Sequence, residues 1–171
     1  MWQNFLLIII IVSIAIIGLI IKLIDISNMQ SRREFTIEFF NNLNSLIGTK
    51  VNGAYDNQTY IWLTERVDKM QKELGVMGIY SMIDNLAGIK TDNYPVLLNF
   101  LPEIASFNEI HNSILYERFA KSAQTCRDTL IRHKGRLDIA ITDEKKRLLN
   151  PIACLSEGIK AILLLPLSIL H

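Results

Sequence analysis

The first 21 residues of this 171-residue chain carry no charged side chain, and 14 of the residues in Phe5–Ile21 are Leu, Ile, Val or Phe. A helix rises about 1.5 Å per residue, so Met1–Ile21 spans about 30 Å, the thickness of a bilayer's hydrocarbon core. On the scale for insertion into membranes, these apolar residues favour the bilayer by roughly 4 to 8 kcal/mol. The sequence therefore predicts a transmembrane helix within an anchor of residues 1–26.

A cleaved signal peptide is the alternative to a permanent anchor. Such peptides have a basic N-terminal region, a shorter apolar core and a small-residue cleavage site. Here Met1–Asn4 is uncharged and Ile20–Leu23 does not resemble a cleavage site. These departures favour the anchor.

The basic residues predict the orientation of the anchor. Lys22, Arg32 and Arg33 follow the apolar segment, and no Lys or Arg precedes it. The positive-inside rule then places the N-terminus outside and the body in the cytoplasm. Trp2 and Lys22 are expected at the two membrane interfaces. We therefore expect a bitopic protein of the cell (inner) membrane, and its richness in Ile and Asn suggests a bacterial source.

The body, residues 27–150, is predicted to be a small helical bundle. Ser31 and Glu34 have the spacing of a capping box, so a new helix is expected to begin there, with an apolar stripe that ends at Gly48. A second helix is predicted over about 58–74, between Asp56 or Asn57 and Gly75. Its buried side is predicted to contain Ile61, Val67, Met70 and Leu74.

A third, short helix is predicted over 77–86, closed by Gly88 and followed by a turn over 89–94. Gly75–Gly78 reads G-V-M-G, which has the spacing of the G-x-x-G loop of KH domains. The loop lacks a basic residue, so we interpret it as a helix–helix turn. No stretch of the body alternates with a period of two, so essentially no sheet is expected.

A long helix is predicted from Pro102 towards Leu149, since Pro95 and Pro102 each suit the first turn of a helix. Apolar residues recur along it at steps of three and four, as in a coiled coil. Such a seam needs a partner helix, from the same chain or from another copy. The predicted seam consists of Phe119, Ala123, Cys126, Leu130, His133, Leu137 and Ala140.

The tail, residues 151–171, is apolar again but contains Glu157, Lys160 and Pro166. Its ten Leu or Ile residues favour insertion by roughly 3 to 6 kcal/mol, and each charge costs up to roughly 3 kcal/mol near the bilayer centre. We expect the tail to lie on the cytoplasmic face, with Lys145, Lys146, Arg147 and Lys160 near anionic head groups. A second transmembrane segment and a buried core helix are the alternatives. The abrupt end at His171 is also compatible with a longer natural chain.

Catalytic and metal sites receive little support. Cys126 and His133 lie about 10 Å apart along a helix, beyond hydrogen-bond reach, and are interpreted as seam packing. Glu109 and His111 point about 200° apart on a helix, so they do not form the Glu-x-x-His motif of di-metal bundles. We predict no enzyme, no cofactor and no metal site, and do not expect a small-molecule substrate.

The two halves of the body carry opposite charge. Glu34–Glu117 contains eleven acidic and five basic residues, whereas Arg118–Arg147 contains nine basic and four acidic ones. Attraction within one bundle is the favoured interpretation, and a basic surface for anionic lipid is the alternative. The basic segment has Phe119 as its one aromatic residue, so nucleic acid is not an expected partner.

The layout of a short N-terminus, one span and a helical body resembles that of LemA-type bacterial membrane proteins. In that family a basic Arg-Arg run leads into Leu-Ile-Pro-Asn-Leu, whereas Arg32-Arg33 is followed here by Glu34-Phe35-Thr36. The resemblance concerns architecture and assigns no residue a role.

Together these patterns predict an all-α protein with a single N-terminal transmembrane helix, a small bundle with one long helix and an apolar membrane-associated C-terminal helix. The leading hypothesis is a non-catalytic scaffold or accessory subunit. It would contact the lipid bilayer and present helix surfaces to other copies of itself, as a homo-oligomer, or to a membrane protein. The alternative is a small membrane-perturbing protein of the toxin, holin or exclusion kind that uses residues 151–171.

Overall fold

The computed structural model describes residues 2–84, 89–107 and 113–169. Their helices are α1 (Trp2–Val51), α2 (Asn57–Leu74), α3 (Val96–Ser106), α4 (Ser113–Leu148) and α5 (Pro151–Ile169). A hairpin of β1 (Ile79–Asp84) and β2 (Ile89–Pro95) precedes α3. The protein is therefore all-α, as predicted, with one small two-stranded sheet.

The chain divides into two compact units. Unit 1 contains residues 1–33 and 137–171, and unit 2 contains residues 34–136. The helices α1 and α4 each have residues in both units, so neither unit coincides with the predicted segments 1–26, 27–150 and 151–171. The predicted anchor and the predicted tail belong to the same unit.

Helix α1 is one continuous helix of 50 residues. The prediction of a new helix at Ser31 was wrong, because no proline or glycine interrupts the chain between Lys22 and Glu34. Gly48 does not end the helix either, which continues to Val51. Helix α1 is long and apolar enough to cross a membrane, a test that signal sequences also pass.

Helix α2 confirms the predicted bounds. Asp56 is its N-cap and accepts hydrogen bonds from the backbone N–H groups of Gln58 and Thr59, and Gly75 ends it with a positive φ of 54°. Leu63, Val67, Met70 and Leu74 form the buried side. The prediction for Ile61 was wrong, since its side chain is 48% exposed, on the face opposite to that row.

Residues 77–84 do not form the predicted third helix. Gly75–Gly78 is a 3-10 turn that leads from α2 into β1, so it joins a helix to a strand rather than two helices. The strands pair antiparallel, with an irregularity between Tyr80 and Met82 and a positive φ of 59° at Asn93. The β-branched and aromatic residues of Ile79–Asp84 suit a strand better than a helix. The closing Gly88 lies outside the described residues.

The predicted helix from Pro102 to Leu149 is divided. Pro95 is the N-cap of α3, as expected for a helix start, but Pro102 lies inside α3 rather than in a first turn. Its ring is exposed, so the lost hydrogen bond falls on the outer side of this short helix. Helix α3 ends at Ser106, with Phe107 as its C-cap, and α4 covers Ser113–Leu148.

Unit 2 is built around a single apolar core. Helices α1, α2, α3 and α4 each contribute one face, and Phe107 stacks on Phe119 with ring centroids 4.2 Å apart. The core residues with the largest side chains and no more than 1% exposure include Phe39, Phe100, Leu43, Leu63, Met70 and Leu97.

A buried amide joins three elements of unit 2. The Nε2 atom of Gln71 donates to the carbonyl oxygen of Gly78 at 2.9 Å, and its Oε1 atom accepts from the backbone N–H of Leu97 at 3.3 Å. Gln71 thus ties α2 to the turn before β1 and to the first turn of α3.

Replacing Gln71 by leucine is expected to destabilise unit 2 by about 2 kcal/mol, because a buried donor and a buried acceptor lose their partner. The measurement is the rate at which a small thiol reagent labels Cys126, which is buried in this core. The labelling rate should rise about thirtyfold when unit 2 opens and closes much faster than the reagent reacts, because the rate is then proportional to the fraction of open molecules. Gln58→Leu, at an exposed site on the same helix, is the control and should change the rate little. Equal rates in the two variants would contradict the role of Gln71.

Candidate functional site

Two glycines bring the backbones of α1 and α5 into close approach within unit 1. A Cβ atom on Gly18 would lie 1.8 Å from the carbonyl oxygen of Cys154 and 2.7 Å from the backbone nitrogen of Gly158. A Cβ atom on Gly158 would lie 2.0 Å from the carbonyl oxygen of Ile14. Cβ atoms essentially never come within 3.0 Å of such atoms, so this crossing accepts only glycine at both positions. Small residues permit the same close approach between helices in membranes.

The two helices run antiparallel. Gly18 faces Cys154 and Gly158, and the later of these two residues also faces Ile14, which precedes Gly18 by one turn. Residue numbers therefore rise along α5 where they fall along the facing part of α1. The contact extends over successive turns of both helices, so the helices lie alongside each other rather than touching at one point.

A buried ion pair lies one turn beyond the glycine crossing on α1. The Nζ atom of Lys22 is 3.0 Å from the Oε2 atom of Glu144, and the two side chains are 5% and 21% exposed. The Nη1 atom of Arg147 lies 2.9 Å from the other carboxylate oxygen of Glu144. The hydrogen bond from Lys22 holds the pKa of the Glu144 carboxyl below its ordinary value. An ammonium group this deeply buried needs such a partner to remain charged.

Further ion pairs line the same unit. Arg33 donates through Nε to Oδ1 of Asp138, which again joins α1 to α4. On α5, Lys160 lies 2.9 Å from Glu157, three residues earlier. Unit 1 thus pairs Lys22 and Arg33 of α1 with carboxylates of α4, beyond the apolar segment of α1.

The remaining faces of α1 and α5 expose large apolar side chains. On α1 the exposed fraction is between 44% and 59% for every residue from Phe5 to Val12. On α5 it is 67% for Leu163 and 62% for Leu164. A contiguous apolar surface of this kind is typical of a site that contacts lipid or another protein.

The structure places the predicted membrane-interface residues in different environments. Trp2, Arg32, Lys145, Lys146, Arg147 and Lys160 are exposed. Lys22 and Arg33 instead form ion pairs with α4. Glu144 holds the ammonium group of Lys22 inside unit 1, and the contact of Lys22 with head groups stays a prediction.

The predicted partner-helix seam is occupied within the chain. Phe119, Ala123, Cys126 and Leu130 belong to the core of unit 2. His133 is buried, with its Nε2 atom 3.4 Å from the Oε1 atom of Glu73 on α2. In unit 1, Leu137 is buried and Ala140 is half-buried. The seam was predicted to need a partner helix from the same chain or from another copy, and in the structure the same chain covers it.

Unit 2 also contains a polar cluster between β1 and α4. The hydroxyl of Tyr80 lies 3.0 Å from that of Thr129 and accepts a hydrogen bond of 2.9 Å from Nη2 of Arg132. Thr129 in turn donates to the carbonyl oxygen of Thr125. These contacts hold the hairpin against α4 and include no nucleophile paired with a base.

The residues weighed for catalysis and metal binding do not converge. Burial raises the pKa of the Cys126 thiol, which is the opposite of what a nucleophilic cysteine needs. Burial also raises the pKa of the half-buried Glu103 carboxyl. No group of three His, Cys, Asp or Glu side chains that could hold a metal occurs in the described ranges, and Glu109 and His111 lie outside them.

Sequence reasoning missed the partners that complete the unit 1 interface. Gly18 reads from the sequence only as a tolerated residue in the anchor, and Glu144 and Asp138 belong to no motif. The spacing of Cys154 and Gly158, four residues apart on an apolar helix, is the small-xxx-small pattern and was the available signal.

Searches against protein-family models, curated proteins and solved structures found no match to this chain.

Proposed function

We propose that this protein is a non-catalytic, membrane-anchored helical scaffold or accessory subunit. In this proposal α1 crosses the cell membrane with the N-terminus outside, and residues 34–136 act at the cytoplasmic face. The observation that carries it is the first half of α1, whose large apolar side chains are exposed from Phe5 to Val12. A bilayer would cover that surface and supply the missing contacts.

Two further observations support a role without chemistry. Several polar side chains pair across elements, as Lys22 does with Glu144 and Tyr80 with Thr129. Cys126, the thiol considered as a nucleophile, is enclosed in the core and contacts the backbone of Val96. Side chains used in this way stabilise helix packing, which suits a protein that acts through its surface.

The first test is extraction of native membranes with alkaline carbonate. The full-length chain is expected to stay in the membrane pellet at its uncleaved mass. A double variant, Ile10→Arg with Ile11→Arg, should leave the pellet, since each arginine at the centre of a span costs roughly 3 kcal/mol. Ile61→Arg, at an exposed site on α2, is the matched control. A wild-type chain shortened at its N-terminus would identify a signal peptide and contradict the anchor.

The second test addresses the partner. The chain is crosslinked in native membranes and purified in mild detergent, and co-purifying proteins are identified by mass spectrometry. A foreign protein in stoichiometric amount would identify an accessory subunit, and crosslinks between copies would identify a homo-oligomeric scaffold. A strictly monomeric chain with no bound protein would contradict both forms of the proposal.

The exposed apolar side chains of α5 favour a second candidate, a membrane-perturbing protein. Its prediction is that overexpression slows growth or releases a trapped dye, and that deletion of residues 151–171 abolishes the effect. A phenotype that survives the deletion would remove this candidate.

A further inference from the structure

We infer that α5 is a second transmembrane helix, packed on α1 through Gly18 and Gly158, so that the anchor is a two-helix hairpin. This inference rests on the proposal that α1 crosses the membrane. It places the end of α5 on the same side of the bilayer as the N-terminus, and it replaces the expected interfacial tail by a span.

The direction of α5 is the first argument. A helix that lies on the membrane surface would cross a spanning helix at a steep angle. Here α5 runs antiparallel alongside α1, with contacts on successive turns at Gly18 and Ile14. If α1 crosses the bilayer, the helix beside it crosses the same layer.

The length of α5 fits a span. Its 19 residues, Pro151–Ile169, extend about 28 Å, close to the hydrocarbon thickness of a bilayer. Pro166 lies within the helix without ending it. Proline is tolerated in membrane helices more often than in soluble ones.

The two charges of α5 compensate each other. Glu157 and Lys160 pair with each other at 2.9 Å, and Glu157 also lies within electrostatic range of Lys22, at the end of the apolar segment of α1. Glu157 is the seventh and Lys160 the tenth of the 19 residues of α5, so the pair lies in the middle part of the span. An unpaired charge there would cost the most, and the pairing lowers that cost.

The exposed surface of α5 excludes the buried-core alternative. Ile159, Ile162, Leu163 and Leu164 are each at least 40% exposed. A core helix would enclose such side chains, whereas lipid chains would cover them.

Because the hydrophobic gain and the cost of the charges nearly balance, the glycine crossing is expected to decide whether α5 inserts. Leucine at Gly18 would separate the helices and release α5 to the cytoplasmic side. Gly48 lies on the same helix, and a Cβ atom there would meet no other atom within 4 Å. Gly48→Leu therefore serves as the matched control.

The experiment uses full-length chains with a recognition site for a specific protease, placed either after His171 or in the exposed loop 52–55. Protease is added outside intact spheroplasts. The site after His171 is expected to be cleaved at least about ten times more than the loop site, which corresponds to a preference of about 1.4 kcal/mol between the two topologies. Gly18→Leu should lower this ratio towards one, and Gly48→Leu should not.

Protection of both sites in a chain that remains in the membrane would overturn the second span and leave the α1 anchor intact. Cleavage at the C-terminal site that is unaffected by Gly18→Leu would overturn the role of the crossing. A chain absent from the membrane pellet would instead contradict the proposed function.

Discussion

Alanine at Gly18 is expected to destabilise the contact between α1 and α5, whereas alanine at Gly48 should stabilise the chain. A methyl group on Gly18 meets the carbonyl oxygen of Cys154 at 1.8 Å, and backbone cannot move aside as a flexible side chain can. The helices must separate, at a cost of about 1–3 kcal/mol for overpacking. Gly48 has open space around it, so alanine there adds helix propensity of about 0.5–1 kcal/mol.

The two native cysteines allow each unit to be measured separately. Cys154 is buried in unit 1 beside Gly18, and Cys126 is buried in the core of unit 2. In mild detergent, Gly18→Ala should raise the rate of Cys154 labelling roughly fivefold to a hundredfold, as the expected free-energy change requires. Labelling of Cys126 should stay unchanged in this variant.

Gly48→Ala should do the reverse, because Gly48 lies in unit 2. Labelling of Cys126 is expected to slow by roughly two- to fivefold, with no change at Cys154. If Gly18→Ala labels Cys154 at the wild-type rate, the helices do not pack at this crossing, and the second span loses its main support.

The sequence predicted those elements whose signals are local. Asp56 caps α2 and Gly75 ends it because a carboxylate can bind free N–H groups and a glycine can adopt positive φ without strain. The long apolar helix at the N-terminus was predicted by composition alone, since such a helix needs no partner to be recognised. The continuity of α1 through Ser31 was missed because a capping-box spacing also occurs inside helices.

The hairpin was missed because its strands are short. Ile79–Asp84 is six residues long, too short for alternation to be distinguished from a helical period, and the flanking glycines suggested a helix–helix turn. Strand pairing depends on contacts between Tyr80 and Tyr94 that lie far apart in sequence. Local propensity carries no information about such a pairing.

The candidate site was predicted only in part. Lys22 was assigned to the membrane interface from its position after the apolar segment, but its partner Glu144 is 122 residues away. The partners of the seam were left open between the same chain and another copy, because a periodic face shows that a helix is covered but not by what. Both distinctions depend on tertiary contacts that a single sequence does not specify.

Glutamine at Glu144 is expected to destabilise unit 1 by about 2–3 kcal/mol, because it leaves the ammonium group of Lys22 buried without a charged partner. Breaking a fully buried pair costs about 3–5 kcal/mol, and the partial exposure of Glu144 lowers that figure here. The neighbouring Asp143 pairs with Lys146 at 3.7 Å on the surface, so Asp143→Asn should cost less than about 0.5 kcal/mol. Labelling of Cys154 reports both changes.

The double variant Lys22→Met with Glu144→Leu separates the cost of an orphaned charge from the value of the pair. Because apolar residues often replace a buried ion pair at little cost, it should label Cys154 at a rate closer to the wild type than Glu144→Gln does. A double variant as unstable as the single one would show that the pair contributes more than charge compensation.

The same pair should make unit 1 sensitive to acid. The hydrogen bond from Lys22 places the pKa of Glu144 in the folded protein below its ordinary value of 4.5. Since the unfolded chain binds this proton more readily, the stabilisation is complete above about pH 4.5 and is lost as the pH falls through the folded pKa. Wild-type Cys154 should therefore become more accessible below about pH 4.5, after correction for the slower chemistry of the thiol itself. Glu144→Gln has no carboxyl to protonate at this position, so its Cys154 labelling should rise less on acidification than that of the wild type. An equal rise in both chains would show that other groups cause the acid sensitivity.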